Sequence, residues 1–360
     1  MQKSVKAIDN RMSGGSLLKP TYESVDLAKF IGSFLVVAIH TAIFRSVSET
    51  ANHYFINLFC RLAVYFYFIA SAYFFFQGLK MENGKIIRGA GNLQKLKKYL
   101  IRVGLLYCLW SLVYLIQDVF FWSSAGCLTF ANIKGYALSF FINSSHFHLW
   151  FVISLIYAIP IMYAILRFFG KRVLFVLSGV LYIIQLLNGS YSFLNISFLR
   201  WMTKLGDIWP RMNTVLFAVV PICSLALLCD KKKKKKGLLW ALAVSFFLLF
   251  SFEGMILYFC VSKNTSPCLI FTLPAVLFIF IAVKISPVRL KRSFEIRKLS
   301  TIIYCMHPLV ITLFSICFES NKMNSIVYFV TISVITLVVG MLILLLYKKT
   351  KYARFLKWFM

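Results

Sequence analysis

Residues 325–347 read SIVYFVTISVITLVVGMLILLLY, without one charged side chain, and Lys348 and Lys349 follow at once. At about 1.5 Å per residue, a helix of this length crosses the ~30 Å hydrocarbon core of a bilayer. Nine further apolar stretches of similar length lie upstream, at 27–46, 56–79, 100–122, 148–166, 173–190, 211–229, 237–259, 267–285 and 299–318. The 360 residues are 60% hydrophobic and only 14% charged, against about a quarter charged in soluble domains. One soluble domain could not hide so much apolar surface, whereas a lipid-exposed bundle can. The sequence predicts an all-α, polytopic transmembrane helix bundle of about ten spans.

The formal net charge of +29 invites a nucleic-acid reading, but its distribution argues against one. Alternate loops carry 31 of the 40 lysines and arginines: the N-terminal tail, 80–102, 167–172, 231–236, 284–298 and 348–357. The opposite loops hold Arg45, Lys134, Arg200, Lys204, Arg211, Lys263 and Lys322. By the positive-inside rule both termini are expected in the cytoplasm, and the protein is expected as a multi-pass component of the plasma (cytoplasmic) membrane. The basic residues, including the run Lys231 to Lys236, then face anionic lipid headgroups, and no nucleic-acid partner is expected. Residues 1–26 are a polar cytoplasmic tail without the apolar core of a cleavable signal peptide, and 348–360 a basic cytoplasmic tail. The longest external segments are 123–147 and 191–210, the second carrying Tyr191, Trp201 and Trp209 as a surface-lying stretch. The nine cysteines show no metal-ligand spacing, and pairing of Cys260 with Cys268 across one external loop is not expected.

Ionisable groups inside spans are costly and usually face a cavity or a partner. The first span holds the sharpest case: Asp26-Leu27-Ala28-Lys29, then His40. Eleven helical steps place Lys29 and His40 about 20° apart around the axis, on one face, and about 16 Å apart along it. Lys29 alone reads equally as a lysine snorkelling to the interface, and His40 alone as a packing histidine. Together they make a polar stripe suited to a reaction that takes one substrate from each side.

That segment resembles the first-helix signature of the acyltransferase-3 family of integral membrane proteins, a basic residue, ten positions, then histidine. Arg61 to Tyr73 is similar to the family's second helix, with Tyr65 where the family has proline. Lys97-Lys98-Tyr99-Leu100-Ile101-Arg102 stands where the family carries a basic stretch ending in Arg-x-x-Arg, and Tyr99 replaces the first arginine. His148-Leu149-Trp150-Phe151, Arg211-x-Asn213 and Ser300-Thr301-Ile302-Ile303-Tyr304-Cys305-Met306-His307-Pro308 resemble later family motifs in the right order. Residues 27–347 would form the membrane acyltransferase domain.

The resemblance implies transfer of an acyl group, commonly acetyl, from cytoplasmic acyl-CoA to hydroxyls of a surface glycan or glycoside. A sugar hydroxyl needs a base within hydrogen-bond reach, and a neutral imidazole such as His40 can accept a proton near pH 7. Acyl-CoA is then a polyanionic donor substrate rather than a permanently bound cofactor, and Lys29, Lys98 and Arg102 are the expected cations at its mouth. Lys98 and Arg102 read otherwise as topology residues only. Arg61 and Arg211 are candidates for holding the acceptor or orienting His40. His148 and Trp150 serve either as sugar contacts or as interfacial anchors. Asp26 precedes Lys29 by one turn, Glu253 is a carboxylate within a span, and His307 precedes Pro308 near mid-helix. His53 and His146 are external and receive no role. No resident metal is expected from five histidines without paired spacing.

Two rivals stand beside this reading. Buried charge equally marks a small-solute transporter or flippase, and the membrane portions of vancomycin-resistance serine racemases, which resemble this family, are associated with serine movement. These 360 residues hold no soluble racemase module, which weighs against that rival. A different membrane acyltransferase class, also built on a buried histidine, would make His40 dispensable.

Overall fold

A computed structural model describes residues 22–89, 91–196, 205–229, 235–261, 268–319, 322–349 and 352–360. The first 21 residues, Lys231 to Lys234 of the lysine run and 197–204 of the surface-lying stretch fall outside the described residues. The apolar stretches form α1 (Glu23–Thr41), α2 (Glu49–Phe76), α3 (Asn92–Ser124), α4 (Phe130–Ile142), α5 (Trp150–Phe168), α6 (Lys171–Asn188), α7 (Pro210–Leu228), α8 (Lys236–Cys260), α9 (Thr272–Ile285), α10 (Ser293–Cys317) and α11 (Ser325–Lys349). Among the described residues nine helical stretches are long and apolar enough to cross a membrane, α4 and α5 counted as one, and α9 is a shorter apolar helix of 14 residues. Each of the ten spans read from the sequence falls on one of these helices. The segment 123–147, read as an external connection, contains α4, none of whose residues is buried.

α1 sits in the middle of the bundle, packed on α2, α9, α10 and α11. Its contact with α2 depends on Gly32. A Cβ at that position would lie 2.9 Å from the Tyr67 hydroxyl oxygen and 3.4 Å from the Ala63 Cβ. Bare glycine lets the two helices approach until the Tyr67 hydroxyl donates to the Lys29 carbonyl. α8 packs chiefly along α9, and much of its outward surface is apolar and exposed, including Leu248, Phe252 and Phe259. Such a surface suits lipid rather than water.

The link between α2 and α3 is a small antiparallel hairpin, Met81–Glu82 with Lys85–Ile86, Met81 opposite Ile86. Asn83 (φ 48°) and Gly84 (φ 75°) both take the left-handed conformation that a two-residue turn of this hand demands. The Gly84 carbonyl accepts from Lys171 N at 2.8 Å and the Ile86 carbonyl from Arg167 Nη1 at 3.1 Å, pinning the hairpin to the α5–α6 corner. Asn92 opens α3 and bonds back to Lys80 N (3.0 Å), Lys80 O (2.9 Å) and Ile87 O (3.1 Å). The first turns of α3, which carry Lys98 and Arg102, are thereby held at a fixed angle to the bundle.

Gly32→Leu is expected to lower the Tm of the detergent-solubilised protein, since overpacking a close helix contact costs about 1–3 kcal/mol. Gly104→Leu should leave the Tm unchanged, because a Cβ there meets nothing within 4 Å. Equal Tm values for both variants would show that the α1–α2 approach is not tight.

Candidate functional site

The site is organised by a missing hydrogen bond in α10. Pro308 has no N–H, so the Tyr304 carbonyl four residues earlier lacks its helical donor. His307 supplies one: its Nδ1 donates to Tyr304 O at 2.8 Å and lies 3.2 Å from Ile303 O. The proton therefore resides on Nδ1, and Nε2 is left as a buried lone pair with no partner among the described residues. One residue on, the Cys305 carbonyl accepts two bonds, from the Tyr114 hydroxyl of α3 at 2.7 Å and from His148 Nε2 at 3.1 Å. With its Nε2 proton committed there, a neutral His148 accepts at Nδ1 from His146 Nδ1, 3.0 Å away. The Tyr304 hydroxyl completes the tie by donating to the His148 carbonyl.

His40 reaches this cluster from α1. Its ring stacks on His307 with centroids 5.1 Å apart and planes at 30°, and Phe147 lies 4.9 Å away. Four histidines from three separate segments thus meet, and His148 and His307 are almost fully buried. The fifth, His53, lies elsewhere, against Asn57 and Tyr258. Among the described residues no three of the histidine, cysteine and acidic side chains converge as a metal site would require.

His40 opens onto a cavity of about 480 Å³ whose polar lining includes Arg61, Gln185, Arg211, Asn213 and His148, with Trp150 beside them. Two π-helical turns shape it. Phe55–Cys60 immediately precedes Arg61, and Val215–Val219 follows Arg211 and Asn213. Such wide turns are frequent at functional sites because they re-aim the side chains next to them. Arg211 donates from Nε to Asn143 O at 2.7 Å and from Nη2 to Asn143 Oδ1 at 2.8 Å, and its guanidinium lies 5.3 Å over the Trp150 ring. Asn213 Oδ1 is buried without a partner.

At the other end of α1 is a second cavity, of about 620 Å³. Lys29, Lys95, Lys98, Arg102, Arg297 and Lys357 all line it, and among the described residues no acidic side chain does. Lys29 Nζ stands 5.0 Å from the Phe74 ring centroid. Tyr99, which occupies the first arginine position of the resembled motif, lines the same cavity with its buried hydroxyl unpartnered. The basic tail folds back here as a short 3-10 segment, Tyr352–Phe359. Trp110 Nε1 donates to Phe359 O at 3.3 Å, and Trp358 and Met360 join the cavity wall. Tyr304 lines both cavities.

The structure therefore gathers Arg61, His148, Trp150 and Arg211 around His40, stacks His307 behind it, and places Lys29, Lys98 and Arg102 together at the far end. Two singled-out carboxylates line neither cavity. Asp26 Oδ2 accepts from Ser293 Oγ at 2.6 Å and fastens α1 to the start of α10. Glu253 accepts from the Tyr191 hydroxyl (2.5 Å), Ile270 N (2.7 Å) and Phe271 N (3.0 Å), satisfying backbone donors at the start of α9. Cys260 is exposed, Cys268 is buried, and no disulfide joins them. Sequence reasoning passed over His146 and Arg297. His146 stands two residues before His148, and Arg297 lies seven positions before Tyr304, two turns along the same face of α10.

A many-helix membrane bundle with a histidine-lined cavity and a basic cavity at the two ends of one helix is the frame of an integral membrane enzyme or carrier. Residues 22–345 match the family model described as an acyltransferase domain. The chain belongs to the acyltransferase-3 family of multi-pass membrane proteins. It is 24% identical over 348 residues to an amino-acid racemase of Enterococcus faecalis, a match covering 94% of this chain and 48% of that protein. It is 28% identical over 172 residues to another amino-acid racemase of Enterococcus faecalis, covering 48% of this chain and 22% of that protein. The chain thus spans at most about half the length of these curated relatives. No solved structure matches it significantly.

Removing the Arg211 clamp should loosen the segment that presents His146 and His148. Arg211→Ala is expected to speed amide hydrogen exchange across 143–149 several-fold while exchange in α11 stays as it was. Unchanged protection would mean that other contacts hold the loop.

Proposed function

We propose that the protein moves an acyl group, acetyl in the simplest case, from cytoplasmic acyl-CoA to a hydroxyl of a cell-surface polysaccharide or glycoside. The observation that carries the reading is the pair of cavities at the two ends of α1, one whose charged side chains among the described residues are all basic and one built around His40, with Tyr304 in the wall of both. The acyltransferase-domain match supports the class of reaction. The excess of lysine and arginine on alternate loops supports a cytoplasmic basic cavity.

In this reading Lys29, Lys98, Arg102 and Arg297 hold the phosphates of the donor, whose thioester end extends toward Tyr304. The acceptor enters the cavity at Arg61, His148, Trp150 and Arg211. His40 takes the proton of the acceptor hydroxyl, the oxygen bonds to the thioester carbonyl carbon, and the carbon–sulfur bond breaks. The proton passes to the departing sulfur, so the products are an ester and free CoA thiol. His307 keeps the His40 ring plane in place, its own orientation fixed by the Tyr304 carbonyl. Asp26 and Glu253 act on the scaffold, by holding α1 to α10 and by starting α9. Basic residues outside the cavity meet lipid headgroups.

The relatives named amino-acid racemases favour one second reading, in which the His40 cavity takes a free amino acid as cargo. Arg61 and Arg211 are suited to its carboxylate. Transport without chemistry leaves acetyl-CoA unconsumed, which separates the two.

His40→Ala, at equal membrane abundance, is expected to reduce the O-acetyl content of the surface glycan to that of cells lacking the protein. Ester at the wild-type level would remove His40 from the chemistry. Lys98→Gln with Arg102→Gln should raise KM for acetyl-CoA about ten-fold or more with normal insertion, and an unmoved KM would leave those two residues a topological role alone.

A further inference from the structure

Beside the His40 cavity lies a third space, of about 470 Å³, which the mechanism above does not use. It is formed by the end of α3, one side of α4 and the loop 143–147, and its volume falls in the range of roughly 300–1,000 Å³ typical of small-molecule sites. Its lining is polar and uncharged. Asn132, Ser139, Asn143, Ser144 and His146 face it together with the rings of Trp122 and Tyr136, and among the described residues no aspartate, glutamate, lysine or arginine does; Asn132 Nδ2 gives one hydrogen to Cys127 O at 2.7 Å. Trp122 and Tyr136 stand edge to face, 6.4 Å between centroids, and the Tyr136 hydroxyl is committed to the Ser111 carbonyl at 2.5 Å. Arg211 takes the side-chain oxygen of Asn143, which leaves the amide hydrogens. His146 spends Nδ1 on His148 and keeps the Nε2 lone pair.

This combination of amide and hydroxyl donors, a neutral acceptor nitrogen and aromatic surface matches a ligand that is uncharged, rich in hydroxyl groups and partly apolar on its ring faces. That is the chemistry of a sugar unit. The space also shares a wall with the His40 cavity. Phe147 lines both, with its ring 4.9 Å from His40, and the Arg211–Asn143 pair joins a wall of one to a wall of the other.

We infer that the space bounded by Trp122, Tyr136, Asn143 and His146 is a second sugar subsite, which holds a neighbouring unit of an extended neutral glycan while the acylated unit sits at His40. The inference rests on the acyl-transfer reading and makes it narrower: the natural acceptor is a chain of sugars, not a single small molecule. Binding energy from the remote unit positions the reacting one, so a one-unit acceptor loses rate that a longer one recovers.

Gly135 offers a way to fill the subsite without disturbing the catalytic machinery. It lines the space on α4, and a Cβ there meets nothing within 4 Å. The test compares wild type with Gly135→Trp, at equal membrane abundance, in two assays. One reads O-acetyl ester on the polymeric surface glycan of the producing cells. The other reads transfer from labelled acetyl-CoA to methyl glucoside by the purified protein. The expected result is at least a ten-fold loss on the polymer with methyl glucoside transfer unchanged. Wild-type levels of polymer ester in Gly135→Trp would overturn the subsite. An equal loss in both assays would also overturn it, since the variant would then have damaged the site as a whole. Wild-type protein that acylates neither acceptor would defeat the acyl-transfer reading itself, and the subsite with it.

Discussion

Inside a bilayer a backbone carbonyl without a donor costs several kcal/mol, and no water is at hand to satisfy it. Pro308 creates such a carbonyl at Tyr304, and the arrangement of the site follows from how the chain answers it. The His307 ring turns to donate from Nδ1, which fixes its tautomer and presents a flat face to His40. The next carbonyl, that of Cys305, accepts from Tyr114 and His148, so three segments far apart in sequence meet at two consecutive peptide units. His146 then takes its orientation from His148. One absent N–H thus orders a histidine cluster that no local sequence pattern encodes.

α1 carries that order across the bundle. Gly32 lets it lie against α2, and Asp26 ties its first turn to α10 through Ser293. His40 and Lys29 are therefore held in register with separate cavities, one polar and aromatic, the other lined by cations from α1, α3, α10 and the folded-back tail. Six basic groups around one space repel each other, and a rigid scaffold that holds them together is pre-arranged for a ligand with several negative charges. The hairpin at Asn83-Gly84 and the Asn92 bonds contribute by keeping the cationic start of α3 from swinging away.

Much of the fold was legible because the bilayer imposes a length. Ten apolar stretches stood out by hydrophobicity alone, and the shared face of Lys29 and His40 followed from the helical period. α4 was not legible: none of its residues is fully buried and only one side, with Tyr136 and Phe140, is half-covered, so Phe130 to Ile142 read as part of an external connection. His146 looked like a loop residue because its partners are brought in by carbonyls of α10. Arg297 was hidden among loop cations whose number already had a topological explanation, although its seven-residue spacing from Tyr304 was readable. Glu253 shows the opposite error. A carboxylate in a span suggests chemistry, but here the short helix α9 needs an acceptor at its buried start, and Glu253 meets that need.

Tyr304 in the wall of both cavities has an electrical consequence. In the proposed reading the two spaces open to opposite sides of the membrane, so each carries the potential of its side inward and the voltage falls across the thin layer between them. That layer is aromatic, with Tyr67 and Phe151 beside Tyr304 on one side and Phe68 on the other. A unit charge passing it would exchange about 2.3 kcal/mol with every 100 mV. The neutral acetyl fragment of the proposed reaction does no electrical work in the same passage. In the proposed reaction the layer is thin enough for group transfer and still insulates, and the polyanionic donor proposed for the basic cavity stays on its own side.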